Sequence, residues 1–261
     1  MKNIKASILI ANYNNQKYIS ACLKSLFNQN FKNFEIIFHD DFSSDDSIKE
    51  VKKFKNVKII ANKKRGKYGS LNQIDAYQRA FKYSKGEIIF LLDSDDYFSH
   101  TKVKEVIKIF DKYKEIKVAY DLPIILNNKI KKKIYNKKKI IKNFWPYIPN
   151  QSCISIRSKN FNEIINKIKI KKFYDIWMDF RISIYAIYIE KKFFIIEKNL
   201  TYYRKTESAV STKFKFLSIN WWFRRMEAHN YVKFFFNRNK IFYKKNFDYY
   251  LTKFVTFFLI K

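Results

Sequence analysis

The 261-residue chain predicts an α/β fold, a Rossmann-like, doubly wound mixed sheet with a helical, aromatic-rich, basic C-terminal extension. Three observations carry that expectation. Apolar, β-prone runs recur through the first hundred positions, short and rich in Ile and Phe, as buried strands are. Segments with apolar residues at helical spacing separate them, which is the alternation of a sheet covered by helices. From residue 213 onward the pattern changes to aromatic rings interleaved with Lys and Arg.

The elements follow in order. Ala6-Ser7-Ile8-Leu9-Ile10 is a strand that runs into the polar cluster Ala11-Asn12-Tyr13-Asn14-Asn15. Residues 16–30 place Ile19, Leu23, Leu26 and Phe27 on one helical face. Phe34-Glu35-Ile36-Ile37-Phe38 is a second strand, ending at His39-Asp40-Asp41 and the Ser/Asp-rich stretch to Ser47. A short helix over 47–54, a short strand over 57–60 and a loop over 62–70 come next. Leu71, Ile74, Tyr77 and Phe81 then line the inner face of a helix over 71–83. Gly86 precedes the strand Glu87-Ile88-Ile89-Phe90-Leu91-Leu92, which ends at Asp93-Ser94-Asp95-Asp96. A helix over 102–113 and a strand around Val118-Ala119-Tyr120 complete the regular part.

Less regular segments follow. Residues 127–142 are Lys-dense and read as a solvated loop or exposed hairpin; the sharper alternative is a patch touching phosphates of a ligand. Residues 144–156 mix aromatics, prolines and small polar groups, which suits a shaped ligand pocket, or an irregular loop before a strand. Residues 213–261 read as a membrane-surface element, with rings at headgroup level and cations on phosphates, or as a helical subdomain packing its rings inward.

The acidic tips point to chemistry. Asp93, Asp95 and Asp96 at the end of a buried strand repel one another and resist losing water. A divalent cation or hydrogen-bond donors would neutralise them, and hard oxygen ligands suit Mg2+ or Mn2+, which bridge proteins to phosphates. One such tip is equally an acidic turn. Three strands ending in polar clusters are different, because ligands of open α/β sheets bind outside the carboxyl ends of the strands. The clusters at 11–15, 39–47 and 93–96 are therefore expected to converge on one crevice.

Composition narrows the partners. The formal net charge of +31 makes nucleic acid the first suspect. The basic residues are spread along the chain, however, and no helix-turn-helix, zinc-finger or RNP pattern is present, so no nucleic-acid partner is expected. Coding bias toward Lys, Asn and Ile would give the same charge. Cys22 and Cys153 match no metal spacing and imply no disulfide framework. No signal peptide and no bilayer-spanning apolar run are evident, so a cytoplasmic protein is expected, peripheral on the inner face of an anionic membrane.

The order of these pieces resembles the nucleotide-sugar-binding half of a family 2 glycosyltransferase with the GT-A fold. Ser7-Ile8-Leu9-Ile10-Ala11-Asn12-Tyr13-Asn14, then 34–47, then Gly86 to Tyr97 with its DxD motif, match that family's segments in order. The resemblance implies a catalytic domain over 1–212, with a nucleotide-sugar-binding half (1–100) and an acceptor half (101–212), followed by an extension over 213–261. It implies that Asp95 binds Mn2+ or Mg2+, that Asp93 binds the ribose or metal-bound water, and that Asp96 supports the site or contacts the donor sugar. Asp41 would accept from the uracil ring, with Ala11 and Tyr13 lining the base.

The same family carries an Asp as general base, with a Glu before it and an Arg six residues after it. Asp175 and Arg181 fit, with Tyr174 in place of the Glu; Asp179 is the rival base, and a helix N-cap is the other role open to Asp175. Leu200 to Ser211 is similar to the segment that bears a metal-binding His, but Thr206 stands at that position, with Glu207 or water as substitutes. Arg204 is assigned to a phosphate, which suits a guanidinium. The resemblance thus implies an inverting transferase. Its donor would be a nucleotide-sugar, a UDP-sugar above all, and its acceptor a glycan of a bacterial surface glycoconjugate such as lipopolysaccharide or capsule, lipid-linked in some members. A nucleotide-sugar-binding module without transfer activity and a nucleotidyltransferase are the alternatives; the second lacks a Gly-rich phosphate loop in 11–18.

Overall fold

The structure is a computed structural model that describes residues 4–127, 130–133, 149–206 and 213–259. Its centre is a sheet in which β1 (Ala6–Asn12), β2 (Phe34–Asp40), β3 (Val57–Ala61) and β4 (Ile88–Asp93) run parallel in the order β3-β2-β1-β4. The sheet continues from β4 through β8 (Ile154–Arg157), β6 (Val118–Asn127) and β9 (Phe193–Arg204) to the two-residue β5 (Tyr97–Phe98). β8 is antiparallel to both neighbours and β6 is parallel to β9, so the sheet is mixed as expected.

Side-chain alternation along the strands feeds two cores, one on each face. On β1 Leu9 points to one, Ile8 and Ile10 to the other; on β4 Leu91 and Ile89 oppose Phe90 and Leu92. Helices α1 (Gln16–Phe27), α2 (Ser47–Lys52) and α4 (Lys102–Lys112) supply one face; α1, for example, buries Ile19, Cys22, Leu23 and Leu26. Helices α3 (Gly69–Phe81), α5 (Ser158–Ile168) and α6 (Met178–Ile184) cover the other, and α6 runs on as a π-helical turn to Glu190.

Gly86 shows how tightly β1 and β4 approach. A Cβ there would lie 2.3 Å from the Ala6 carbonyl carbon and 2.4 Å from the Ser7 nitrogen. Both are backbone atoms of a central strand and cannot rotate away. Gly86→Ala is expected to destabilise the fold by about 1–3 kcal/mol, read as a lower urea midpoint at unchanged slope; a wild-type midpoint would contradict this packing.

One feature exceeds the sequence reading, and two fall within the alternatives it left open. The strand expected near 118–120 extends to Asn127, because β9, which has no alternating pattern, pairs along it with register shifts between Tyr120 and Pro123. The Lys-dense tract starts as the hairpin strand β7 (Ile130–Lys133) on β6, and its remainder lies outside the described residues, as do 144–148 of the proposed pocket loop and the domain boundary at 212. The C-terminal segment forms α7 (Ile219–Arg238) and α8 (Phe247–Leu259). Tyr231 and Phe235 of α7 pack edge-on against Phe173, Phe180 and Tyr185, so α7 joins the core of the sheet's second face. The buried His229 ring joins α7 to α8. With its proton on Nε2 it donates to Asp248 at 2.8 Å and accepts from the Tyr243 hydroxyl at 2.8 Å, and burial holds its pKa below the usual value despite Asp248. No helix among the described residues is long and apolar enough to cross a membrane.

Candidate active site

Parallel pairing in register brings the three polar tips together: Asn12 lies beside Asp40, and Ala11 lies between His39 and Asp93. Short bonds stitch them. Asn12 donates to Asp40 at 2.7 Å and accepts from the Ser94 hydroxyl at 2.7 Å, while Asn15 donates to Ser94 at 3.0 Å. Asp40 also binds Ser43, which accepts from the Asn14 N–H. Asp40 is thus a structural clasp, and His39 is a wholly buried strand residue.

Asp41 opens onto the crevice with both oxygens engaged, one by Asn62 Nδ2 at 2.7 Å and one by Arg65 Nε at 3.0 Å. The Arg65 guanidinium lies 3.5 Å from the centroid of the Tyr13 ring, which is 39% exposed. Asp41, Arg65 and Tyr13 thus form a charged, aromatic cluster at the end of β1 and β2, chemistry that suits a nucleobase. Sequence reasoning missed Asn62 and Arg65; the only signal was their place in the Gly-containing loop before α3.

The three aspartates of the third tip have different surroundings. Asp93 accepts from the Tyr77 hydroxyl at 2.9 Å and Gln73 at 3.0 Å. Burial, then the charge of Asp95, push it up to about 7 against those bonds. Asp95 is partly exposed; burial raises it to about 6, and Arg204 pulls it back. Arg204 donates from Nε to the Asp95 carbonyl at 3.0 Å, and its guanidinium faces the Tyr18 and Tyr97 rings. Asp96 is 1% exposed and held by Ser152 Oγ at 2.6 Å, Asn150 Nδ2 at 3.1 Å and the Arg204 N–H at 2.8 Å. Burial, then Asp95 and Asp93, raise its pKa well above the carboxylate range. Both Asp96 oxygens accept from the protein, which fits support of the site, one of the two roles the sequence left open.

A cation fits the donor set without being enclosed by it. Among the described residues no three His, Cys, Asp or Glu side chains gather around one point. Mutual repulsion of Asp93, Asp95 and Asp96 would be relieved by positive charge. Phosphate oxygens would have to complete the shell, as is usual for Mg2+. Thr206 is buried and Glu207 lies outside the described residues, so no substitute for the family His is apparent among the described residues.

The opposite wall comes from residues 173–181 and α7. Asp175 does not cap α6, which starts at Met178 with Trp177 at its N-cap. It lies exposed on the preceding loop, where its N–H donates to both Glu227 oxygens at 3.1 and 3.3 Å. Glu227 thereby puts a carboxylate next to Asp175, where the family pattern has a Glu and this chain has Tyr174. Burial, then the charge of Asp175, push Glu227 up to about 7. Asp179, in the first turn of α6, accepts from the Phe180 N–H at 2.7 Å, and its charge adds to the raised pKa of Asp93 and of the Tyr203 phenol. Burial raises Asp179 itself, and Arg224 of α7 opposes that shift. Arg224 stacks between Phe214 and Trp177, with no hydrogen bond or ion pair among the described residues. Arg181 is fully buried and ties down the loop through the carbonyls of Ile168, Ile170, Phe173 and Ile176. Ser70 of α3 donates to the Tyr174 carbonyl, and Tyr68 stacks on Tyr174 at 4.3 Å.

Known proteins share these features. The family profile Glycosyl transferase family 2 matches residues 7–193. The UDP-Glc:alpha-D-GlcNAc-diphosphoundecaprenol beta-1,3-glucosyltransferase WfaP of Escherichia coli is 37% identical over 124 residues, covering 45% of this chain and 48% of that protein. An uncharacterized glycosyltransferase, alr2836, of Nostoc is 25% identical over 218 residues, covering 77% of this chain and 65% of that protein. The crystal structure of S. aureus TarS 1–349 in complex with UDP-GlcNAc superposes with a TM-score of 0.64 at 19% identity, over 88% of this chain and 66% of that one. The fold is therefore the GT-A fold, and the chain spans about half the length of WfaP.

Proposed function

Because the chain belongs to glycosyl transferase family 2, we propose that it moves a sugar, with inversion, from a UDP-sugar to a saccharide of a bacterial surface glycoconjugate, working peripherally at a membrane. The convergence of the three strand tips into one crevice, with the cluster of Asp41, Arg65 and Tyr13 at one end and Asp95 beside Arg204 at the other, is the observation that carries this reading. The glycan- and lipid-linked acceptors in the names of relatives support the acceptor class.

In this reading Ala11 and Tyr13 line the base, and Asp41 accepts from the uracil ring, aided by Asn62 and Arg65. Asp93 meets the ribose or a metal-bound water. Asp95 holds Mn2+ or Mg2+, and Arg204 faces a phosphate. A cation there would offset the negative charge that builds on the departing diphosphate. Asp96, held by Ser152 and Asn150, keeps the tip in place. Asp179 takes the proton of the attacking hydroxyl, in preference to Asp175, the base the sequence put first, because the charge of Asp179 is felt at Asp93. Arg224 sits at the same wall, where a guanidinium can steady an anionic acceptor group.

A panel of UDP-sugars with Mn2+ should give slow UDP release from one of them. Asp95→Asn is expected to lower that rate at least about a hundred-fold, the loss seen when one stabiliser of developing charge is removed. Release at the parent rate from Asp95→Asn would overturn the assignment. Tight UDP binding with no release from any donor would point instead to a binding module.

A further inference from the structure

α8 is amphipathic in the wrong sense for a helix of a water-facing domain. Its buried stripe is Tyr249, Thr252 and Thr256, and the Thr256 hydroxyl donates back to the Thr252 carbonyl at 2.8 Å. Its outer stripe is Phe247, Tyr250, Leu251, Phe254, Phe257 and Phe258, between 39% and 79% exposed. At 100° per residue these positions fall within about 120° of arc, so they form one strip. The Phe254 and Phe258 rings meet at 4.8 Å, and Phe257 lies 5.5 Å from Phe258. Helices normally turn such residues inward, and a contiguous apolar patch of this kind marks a surface that something else covers.

Charge selects what covers it. Lys244 and Lys245 are exposed just ahead of α8, and Lys253 is exposed on the flank of the strip. Between 213 and 261 the chain has eleven Lys and Arg against Glu227 and Asp248 alone. Both acids are turned inward, Glu227 to the Asp175 N–H and Asp248 to Arg225 and His229. The outward surface of α8 is therefore rings and ammonium groups without a carboxylate. A second copy would press lysine-flanked faces of two chains of charge +31 together. An anionic bilayer instead offers an acyl boundary for the rings and phosphates for the lysines.

We propose that the outer face of α8 seats in the headgroup–acyl boundary of an anionic phospholipid bilayer, with Phe254 and Phe258 in the boundary and Lys244, Lys245 and Lys253 on lipid phosphates. This gives the peripheral contact of the preceding reading its element and its lipid class. It does not need sugar transfer to hold: the face would bind lipid with or without a donor, and vesicle binding and UDP release are measured separately.

The test is sedimentation of the full chain with vesicles of phosphatidylglycerol and phosphatidylcholine, and with phosphatidylcholine alone. Binding to the anionic vesicles that falls as salt rises is expected. Phe254→Ser with Phe258→Ser should lower partitioning about ten-fold or more while the thermal midpoint and UDP release stay at parent values. Lys244→Gln with Lys245→Gln should flatten the salt dependence. Absence of binding at low salt, or full binding by the double Phe variant, would overturn the proposal. So would a parent dimer that this variant dissociates in light scattering, or a lowered thermal midpoint, since either means that protein covers the strip.

Discussion

Asp179→Asn is expected to lower sugar transfer about a thousand-fold and leave UDP affinity within about two-fold of the parent, as befits loss of a general base. Asp175→Asn should stay within about ten-fold of parent transfer. The two aspartates lie one helical turn apart in sequence, yet they meet different surroundings. Asp179 rides on the first turn of α6 and contributes to the raised pKa values of Asp93 and Tyr203, so its charge is felt at the third strand tip. Asp175 lies on an exposed loop, and its charge acts on Glu227 of α7, while Arg224 feels both aspartates, Asp179 the more. An isosteric change at Asp179 removes the proton acceptor without disturbing Arg181, which anchors the loop through carbonyls. Single-turnover transfer and UDP titration separate the outcomes. A dead Asp175→Asn beside an active Asp179→Asn would return the base to Asp175.

Lys102→Met is expected to cost about 3–5 kcal/mol of stability, because it strands a buried carboxylate. Lys102 and Asp121 are each fully buried and pair at 2.9 Å. Lys102 also donates to Thr201 Oγ1 and to the Ser152 carbonyl, and Thr201 donates to the second Asp121 oxygen. Burial raises the pKa of Asp121 although Lys102 opposes it. The network reaches the active site through Ser152, whose hydroxyl binds Asp96 and accepts the Asp93 N–H at 3.0 Å. The variant should therefore lose donor turnover as well as stability. Lys102→Met with Asp121→Leu, which removes both charges, should recover most of the folding free energy. Urea unfolding checks both. A single variant within about 1 kcal/mol of the parent would show that the pair is not the buried one described.

The convergence of the strand tips was legible in the sequence because its signals are local. Strand β4 and Asp93 to Asp96 are adjacent in the chain, and parallel pairing puts like ends together. The groups that tune those tips were not legible. Arg65 reaches Asp41, Ser152 reaches Asp96, and Lys102 reaches Asp121 across long separations, with no periodic signature to announce them. The sequence left Asp96 between support and sugar contact because a sequence gives residue type and not direction. Glu227 was passed over as one charge on an aromatic helix, although it stands beside Asp175, where Tyr174 leaves the neighbouring position without a carboxylate. Strand β9 escaped because it is paired along both edges, with β6 and with β5, and shows no alternation.

The return of α7 to the loop at 173–181 divides labour between the two ends of the chain. A hybrid that kept residues 1–212 and took its tail from a relative would keep every residue assigned to the nucleotide, Arg204 included. It would receive a foreign guanidinium near Asp179 and a foreign carboxylate beside Asp175 from the graft. Such hybrids should switch which hydroxyl they glycosylate while still consuming the same donor.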